Sequence, residues 1–145
     1  MSQFITKSER ETADLAEKLC KNIKAGSIVL FFGEMGAGKT AFVRGALKAY
    51  NNPSFVSSPT FALVNDYGGS PRIYHFDMYR VTDENDLYSS GFFDYADENS
   101  VLFIEWSENI IEFIEDYYSD RIIKIDIQKS VNESERIITV EGGEF

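Results

Sequence analysis

Three observations predict a three-layer α/β fold around a mixed, mostly parallel central sheet. Ser27 to Phe32 and Val101 to Ile104 are short, continuous apolar runs, the pattern of strands buried on both faces. Helical-period apolar stripes alternate with them. Gly33-Glu34-Met35-Gly36-Ala37-Gly38-Lys39-Thr40 joins one strand to one helix and fits G-x-x-x-x-G-K-[ST], the phosphate-binding loop of nucleotide triphosphatases. Chance produces that pattern in about one chain in two hundred of this length, and the flanking strand and helix make chance rarer still. The expected architecture is therefore a P-loop NTPase fold, with residues 1–145 as one domain.

Ser8-Glu9-Arg10-Glu11 is a capping box, with Ser8 as cap and Glu11 reaching back. Leu15, Ala16, Leu19, Cys20 and Ile23 form the apolar stripe of the helix it opens, and Gly26 ends that helix. After the first buried strand and the glycine loop, a helix over residues 41–50 places Phe42, Val43, Ala46, Leu47 and Tyr50 on one side. Asn51-Asn52-Pro53 closes it, and Ser57-Ser58-Pro59-Thr60 is a loop. Residues 61–67 and 72–79 read as strands joined by Gly68-Gly69-Ser70-Pro71, a hairpin that makes the sheet mixed. Thr82 or Asp83 caps a short helix through Tyr88, stopped by Gly91. Ser107, after the second buried strand, caps a helix carrying Ile110, Ile111, Phe113, Ile114 and Tyr117. Ile123, Ile125 and Ile127 alternate with polar residues in one last strand, Ile138 and Val140 in another, after a polar turn over residues 130–135.

A polyphosphate needs many donors in little space. Glycines let backbone N–H groups converge on phosphate oxygens, and the helix that follows adds the positive end of its dipole. Glu34, Met35, Gly36, Ala37, Gly38, Lys39, Thr40 and Ala41 are the candidate nucleotide-binding residues. Lys39 is placed to bridge the β- and γ-phosphates as a point charge. Thr40 offers a hydroxyl to Mg²⁺, a hard cation that prefers oxygen ligands.

Acidic residues outnumber basic ones 24 to 14, a formal charge of −10. That argues against a protein gripping nucleic acid unaided, because Lys and Arg patches hold phosphate backbones. The acidity suits docking on a basic partner surface, or it serves solubility alone. With 43% hydrophobic and 14% aromatic residues the chain can bury a substantial core. Cys20, the single cysteine, lies on the apolar side of the first helix and reads as a core thiol, in keeping with a reducing compartment. No run is long and apolar enough to span a membrane, and the N-terminal residues lack a signal-peptide pattern, so the cytoplasm is the expected location.

Hydrolysis also needs an acidic partner for metal and water. Asp77 ends the run Ile73-Tyr74-His75-Phe76, and Glu105 follows Val101 to Ile104. One would sit near Mg²⁺ and the other would orient water; the sequence does not divide those roles. Alternatively, Asp77 serves a turn and Glu105 the N-terminus of the next helix beside Ser107. Thr60 is either a switch residue sensing the γ-phosphate or an ordinary turn hydroxyl. Trp106, the single tryptophan, either packs in the core or lies over the site. His75, the single histidine, reads as a satisfied strand residue rather than a base, because a lone His has no evident partner.

No Asn-Lys-x-Asp segment selects guanine, and no Leu-Ser-Gly-Gly-Gln segment marks a transporter ATPase. The arginines stand at 10, 44, 72, 80, 121 and 136, too scattered for the Arg-rich lid of a small-molecule kinase. An ATPase that acts on a partner is favoured, with a small-molecule kinase as the alternative.

Four segments together resemble one family. They are Gly33 to Thr40, Ser58-Pro59-Thr60-Phe61-Ala62-Leu63-Val64-Asn65-Asp66-Tyr67, His75-Phe76-Asp77-Met78-Tyr79-Arg80 and Ile104-Glu105-Trp106. The set is similar to the TsaE (YjeE) family, the ATPases of bacterial tRNA threonylcarbamoyladenosine synthesis, from the first helix to the last strands. The resemblance implies a weak, Mg²⁺-dependent ATPase working with TsaD and TsaB, which modify tRNAs that read codons beginning with A. ATP turnover would reset their complex, and tRNA would be met only through it. Carried over by position, Lys39 and Thr40 hold phosphates and Mg²⁺, Thr60 is the switch residue, and Trp106 lies beside the site. Asp77 and Glu105 serve metal and water, so Lys39, Asp77 and Glu105 form the expected catalytic set and Thr40 and Glu105 the metal-binding pair. Glu34 and Met35 stand where many members have Asp and Leu, and Met78 replaces a frequent Leu; the first two are loop positions that donate mainly backbone.

Overall fold

In a computed structural model, residues 1–34, 38–54, 56 and 64–142 are described. The two apolar runs form strands β2 (Ile28–Phe32) and β5 (Ser100–Glu105). Both are buried on two faces because helices cover each side of them. Val29, Phe31, Val101 and Phe103 point to one side, where Ala16, Leu19, Phe42, Val43 and Leu47 pack on them. Ile28, Leu30, Leu102 and Ile104 point to the other, against Leu87, Phe92, Ile110 and Ile114. The period-two alternation of the strands thus builds three layers.

The helices of the first side are α1 (Glu9–Cys20) and α2 (Lys39–Ala49). Ser8 caps α1 by accepting the Glu11 N–H at 3.0 Å, and the Glu11 carboxylate reaches back to the Lys7 N–H at 2.8 Å. Cys20 is buried there, and desolvation pushes its thiol pKa up to about 12. On the second side lie α3 (Glu84–Ser89), α4 (Phe92–Tyr95) and α5 (Ile111–Tyr118).

The remaining strands are β1 (Ser2–Thr6), β3 (Val64–Gly68), β4 (Arg72–Asp77), β6 (Ile122–Lys129) and β7 (Arg136–Glu141). Among the described residues the sheet order is β1-β7-β6-β2-β5-β4-β3. Strands β6, β2, β5 and β4 are mutually parallel. Strand β7 opposes β6, β1 opposes β7, and β3 opposes β4. Strand β1 therefore shares the direction of the central four, and only β3 and β7 run the other way. The sheet is mixed and mostly parallel, as expected.

Three local readings change. Strand β1 lies in a segment with no expected element; its place depends on pairing with β7, from Ser2 opposite Val140 to Thr6 opposite Arg136. Gly26 does not end α1, which closes at Cys20 with Lys21 as its C-cap; Gly91, at φ 78 just past the Ser90 C-cap, stops α3 as expected and also N-caps α4. Ser107 does not cap α5, which begins after Ile110 without a side-chain cap. Its carbonyl instead accepts the Ile110 N–H at 3.0 Å, and its buried hydroxyl has no hydrogen-bond partner among the described residues.

Candidate functional site

Gly33 turns the chain out of β2 at φ 119. A Cβ there would lie 2.0 Å from the Ile127 carbonyl oxygen, so the turn requires glycine for both space and backbone conformation. The chain re-enters at Gly38, N-cap of α2. Helices α1 and α3 have side-chain caps, Ser8 and Asp83, and acidic first turns. Helix α2 has neither. A helix start with glycine at its cap and no carboxylate opposing its dipole suits a bound anion. Lys39 is the first residue of α2 and is only 6% exposed. Thr40 is half-buried and Ala41 is buried behind it, while Glu34 is exposed. Met35, Gly36, Ala37 and Thr60 lie outside the described residues.

The acidic side comes from the ends of β4 and β5, which pair in register with Asp77 opposite Glu105. Neighbouring strands stand about 4.8 Å apart, so register alone brings two carboxylates to one edge of the sheet. Ile73, Val101 and Phe103 belong to the α1–α2 side. By strand alternation His75, Asp77 and Glu105 share that side. Asp77 Oδ1 accepts the Tyr79 N–H at 2.9 Å, so one of its oxygens does serve a turn. Glu105 is buried, and its Oε2 lies 2.5 Å from His75 Nε2. Its sequence alternative, a charge at the start of the next helix, is replaced by this contact.

Trp106 follows at φ 60, a left-handed conformation that costs an aromatic residue about 1–2 kcal/mol. The turn places its ring over the loop lysine, with Lys39 Nζ 5.1 Å from the ring centre. Tyr79 meets the same ring edge-on at 5.3 Å. Of the two alternatives for Trp106, core packing is not the one found: the half-buried ring faces Lys39. Lys39 at the start of α2 thus faces the residue that follows β5, whose last residue, Glu105, stands opposite Asp77 of β4.

The TsaE family model, described as threonylcarbamoyl adenosine biosynthesis protein TsaE, matches residues 6–138. The chain belongs to the TsaE family. A Rickettsia conorii protein called tRNA threonylcarbamoyladenosine biosynthesis protein TsaE is 43% identical over 106 residues, covering 71% of this chain and 59% of that protein. An Aquifex aeolicus protein of the same name is 36% identical over 132 residues, covering 88% of each chain. Among solved structures, a Bacillus YdiB crystal structure aligns with a TM-score of 0.73 at 25% identity, covering 99% of this chain and 86% of that one.

In this TsaE-family chain His75 is a satisfied strand residue, as expected, but the reason the sequence offered does not hold. Rather than lacking a partner, the fully buried ring has two: Glu105 at Nε2, and at Nδ1 the hydroxyl of Tyr67, 3.2 Å away. Tyr67 lies on β3, so the contact joins three strands. The signal available was the His75–Asp77 spacing, which puts both residues on one strand face. The Glu105 contact, 30 positions away, needed the β4–β5 register.

Hard oxygen donors are present for a cation: the Thr40 hydroxyl and the Asp77 and Glu105 carboxylates. Among the described residues no group of three or more His, Cys, Asp or Glu could hold a metal. A cation here would complete its shell with phosphate oxygens and water, the habit of Mg²⁺. Beside Gly38, a cleft of about 330 Å³ opens between α1 and the β6–β7 turn, lined by Ser8, Thr12, Ser134 and Arg136 among others.

Proposed function

We propose that this chain binds Mg·ATP and hydrolyses it slowly, as one P-loop domain serving tRNA threonylcarbamoyladenosine synthesis alongside TsaD and TsaB. The observation that carries this reading is the convergence of Lys39, Trp106 and the Asp77–Glu105 pair at one edge of the sheet. A phosphate loop alone accounts for binding; a buried carboxylate within the same group accounts for turnover.

In this reading, backbone N–H groups of residues 34–41 hold the phosphates and Lys39 neutralises the β- and γ-oxygens. Thr40 and Glu105 would hold Mg²⁺, which when bound draws charge from the phosphate oxygens. Asp77, half-buried beside Glu105, accepts a hydrogen bond from the attacking water and so aims it. Thr60 senses the γ-phosphate. Trp106 covers Lys39 and limits water around it, which strengthens the charge contact. The cleft beside Gly38 takes the nucleoside. The net charge of −10 keeps the chain off tRNA, leaving that contact to TsaD and TsaB. Turnover resets their complex between cycles, and the location is cytoplasmic.

A phosphate-release assay with Mg·ATP, run with and without a purified TsaB–TsaD complex, tests the reading. Free phosphate is expected, faster with the complex. Transfer of labelled γ-phosphate to a nucleoside or sugar would establish the kinase instead. Depleting the protein should also lower threonylcarbamoyladenosine in bulk tRNA; unchanged levels would remove the pathway assignment.

A further inference from the structure

We infer that His75 is a positioning residue that sets the direction of the Glu105 carboxylate, and that Tyr67 steadies the His75 ring from its other side. The inference rests on the proposed ATPase reading for what Glu105 does, but not for how it is held.

Among the described residues, His75 is fully buried at the site and the proposed chemistry gives it no task. Its contacts determine which nitrogen must carry a hydrogen toward Glu105. A neutral imidazole has one donor nitrogen and one acceptor nitrogen. Nε2 faces a carboxylate oxygen at 2.5 Å and Nδ1 faces a hydroxyl at 3.2 Å. The Nε2–H tautomer satisfies both contacts: Nε2–H donates to Glu105 Oε2, and the Tyr67 O–H donates to Nδ1. The other neutral tautomer would turn a lone pair toward the carboxylate.

This contact chain begins farther away. The Tyr67 carbonyl accepts from Asn52 Nδ2 at 3.1 Å and from Ser54 Oγ at 3.0 Å. Both residues lie just beyond α2, so Tyr67 is tied to the segment leaving the helix that starts at Lys39. With Oε2 committed to His75, Oε1 is the oxygen left for metal or water. A carboxylate on a three-bond side chain has several rotamers, and a fixed donor removes most of them. Holding a reacting group in one orientation is worth large factors in rate, because small misplacements are costly.

The chain's single histidine makes the test direct, since its two ring nitrogens give signals that need no assignment. Long-range ¹H–¹⁵N NMR on the whole protein should show a hydrogen on Nε2, the nitrogen that faces the carboxylate, in the wild type and in Tyr67→Phe alike. A wild-type ring with no hydrogen on Nε2 overturns the inference. Phosphate release and calorimetric binding of a non-hydrolysable ATP analogue give the second readout. His75→Ala should slow turnover at least tenfold with the dissociation constant within twofold of wild type. His75→Gln, whose amide N–H reaches the place of Nε2, should recover turnover to within threefold. A folded His75→Ala that turns over normally, a His75→Gln as slow as His75→Ala, or an effect confined to nucleotide affinity each overturns it. If His75→Ala does not fold, His75→Gln and Tyr67→Phe decide, the latter with an expected loss of about threefold. A wild-type protein that releases no phosphate even with TsaB–TsaD defeats the ATPase reading, while the NMR result still judges the geometry.

Discussion

Gly33, Gly38 and Lys39 lie close together in the chain, whereas Tyr67, His75 and Glu105 are spread over three strands, yet both groups meet at one site. The lysine side is a local structure: a strand, a turn that needs glycine and a helix start. The carboxylate side is a product of pairing. No segment of β3, β4 or β5 makes it alone, and a one-residue slip of β4 against β5 would turn Asp77 and His75 to the opposite face from Glu105. A site of this kind should fail in two distinguishable ways, through loss of the binding loop or through loss of orientation among groups that remain present.

The sharpest way to break the comparison is Gly33→Ala. Left-handed strain adds to a 2.0 Å overlap with the Ile127 carbonyl, so the turn and β6 must both shift. A loss of about 4 kcal/mol in urea unfolding is expected, with nucleotide binding lost as well. Glu105→Gln comes next and should affect only the paired side. Turnover is expected to fall about a hundredfold, by phosphate release, while calorimetric nucleotide affinity stays within a few-fold. Equal losses in both measurements would merge the two sides into one binding unit. Lys39→Ala should do the reverse, weakening nucleotide binding about tenfold or more through loss of a charged contact. Unchanged affinity would remove the lysine side from the site altogether.

The smallest effect belongs to the hairpin that carries Tyr67. Arg72 Nε and Nη2 donate to Asp66 at 3.2 and 2.6 Å. These bonds hold the Asp66 carboxyl below its usual range, with the Arg72 charge adding to them. The folded protein therefore binds that proton less readily than the unfolded chain. The stabilisation is present above the unfolded carboxylate pKa and is lost as pH falls through the lower, folded value. Asp66→Asn should lower the melting temperature slightly at neutral pH, and the gap to wild type should close in strong acid. A gap that persists in acid would mean the aspartate acts through something other than its charge.

Much of this was legible in residues alone, and for identifiable reasons. The G-x-x-x-x-G-K-[ST] spacing, the Ser8 cap and the doubly apolar runs at Ile28 and Val101 are short-range patterns whose physics is complete within a few residues. Asp77 and Glu105 could be named as strand-end acids, but their adjacency could not. Strand β1 was invisible because it exists through β7, at the far end of the chain. Ser107 looked like a cap because serine before an apolar helical stripe usually is one; here the chain makes a further turn before α5 begins.

The sequence by itself determined the glycine turn at Gly33, the glycine-capped helix start at Gly38 and the layering, because glycine conformations and hydrophobic periods act over one turn or one strand. Tertiary structure decided that Trp106 lies over Lys39, that Asp77 stands beside Glu105, and that a lone histidine has a partner on each side. Those contacts depend on strand register and on a left-handed tryptophan. Neither is encoded near the residues it brings together, since both follow from how separate segments settle against one shared sheet.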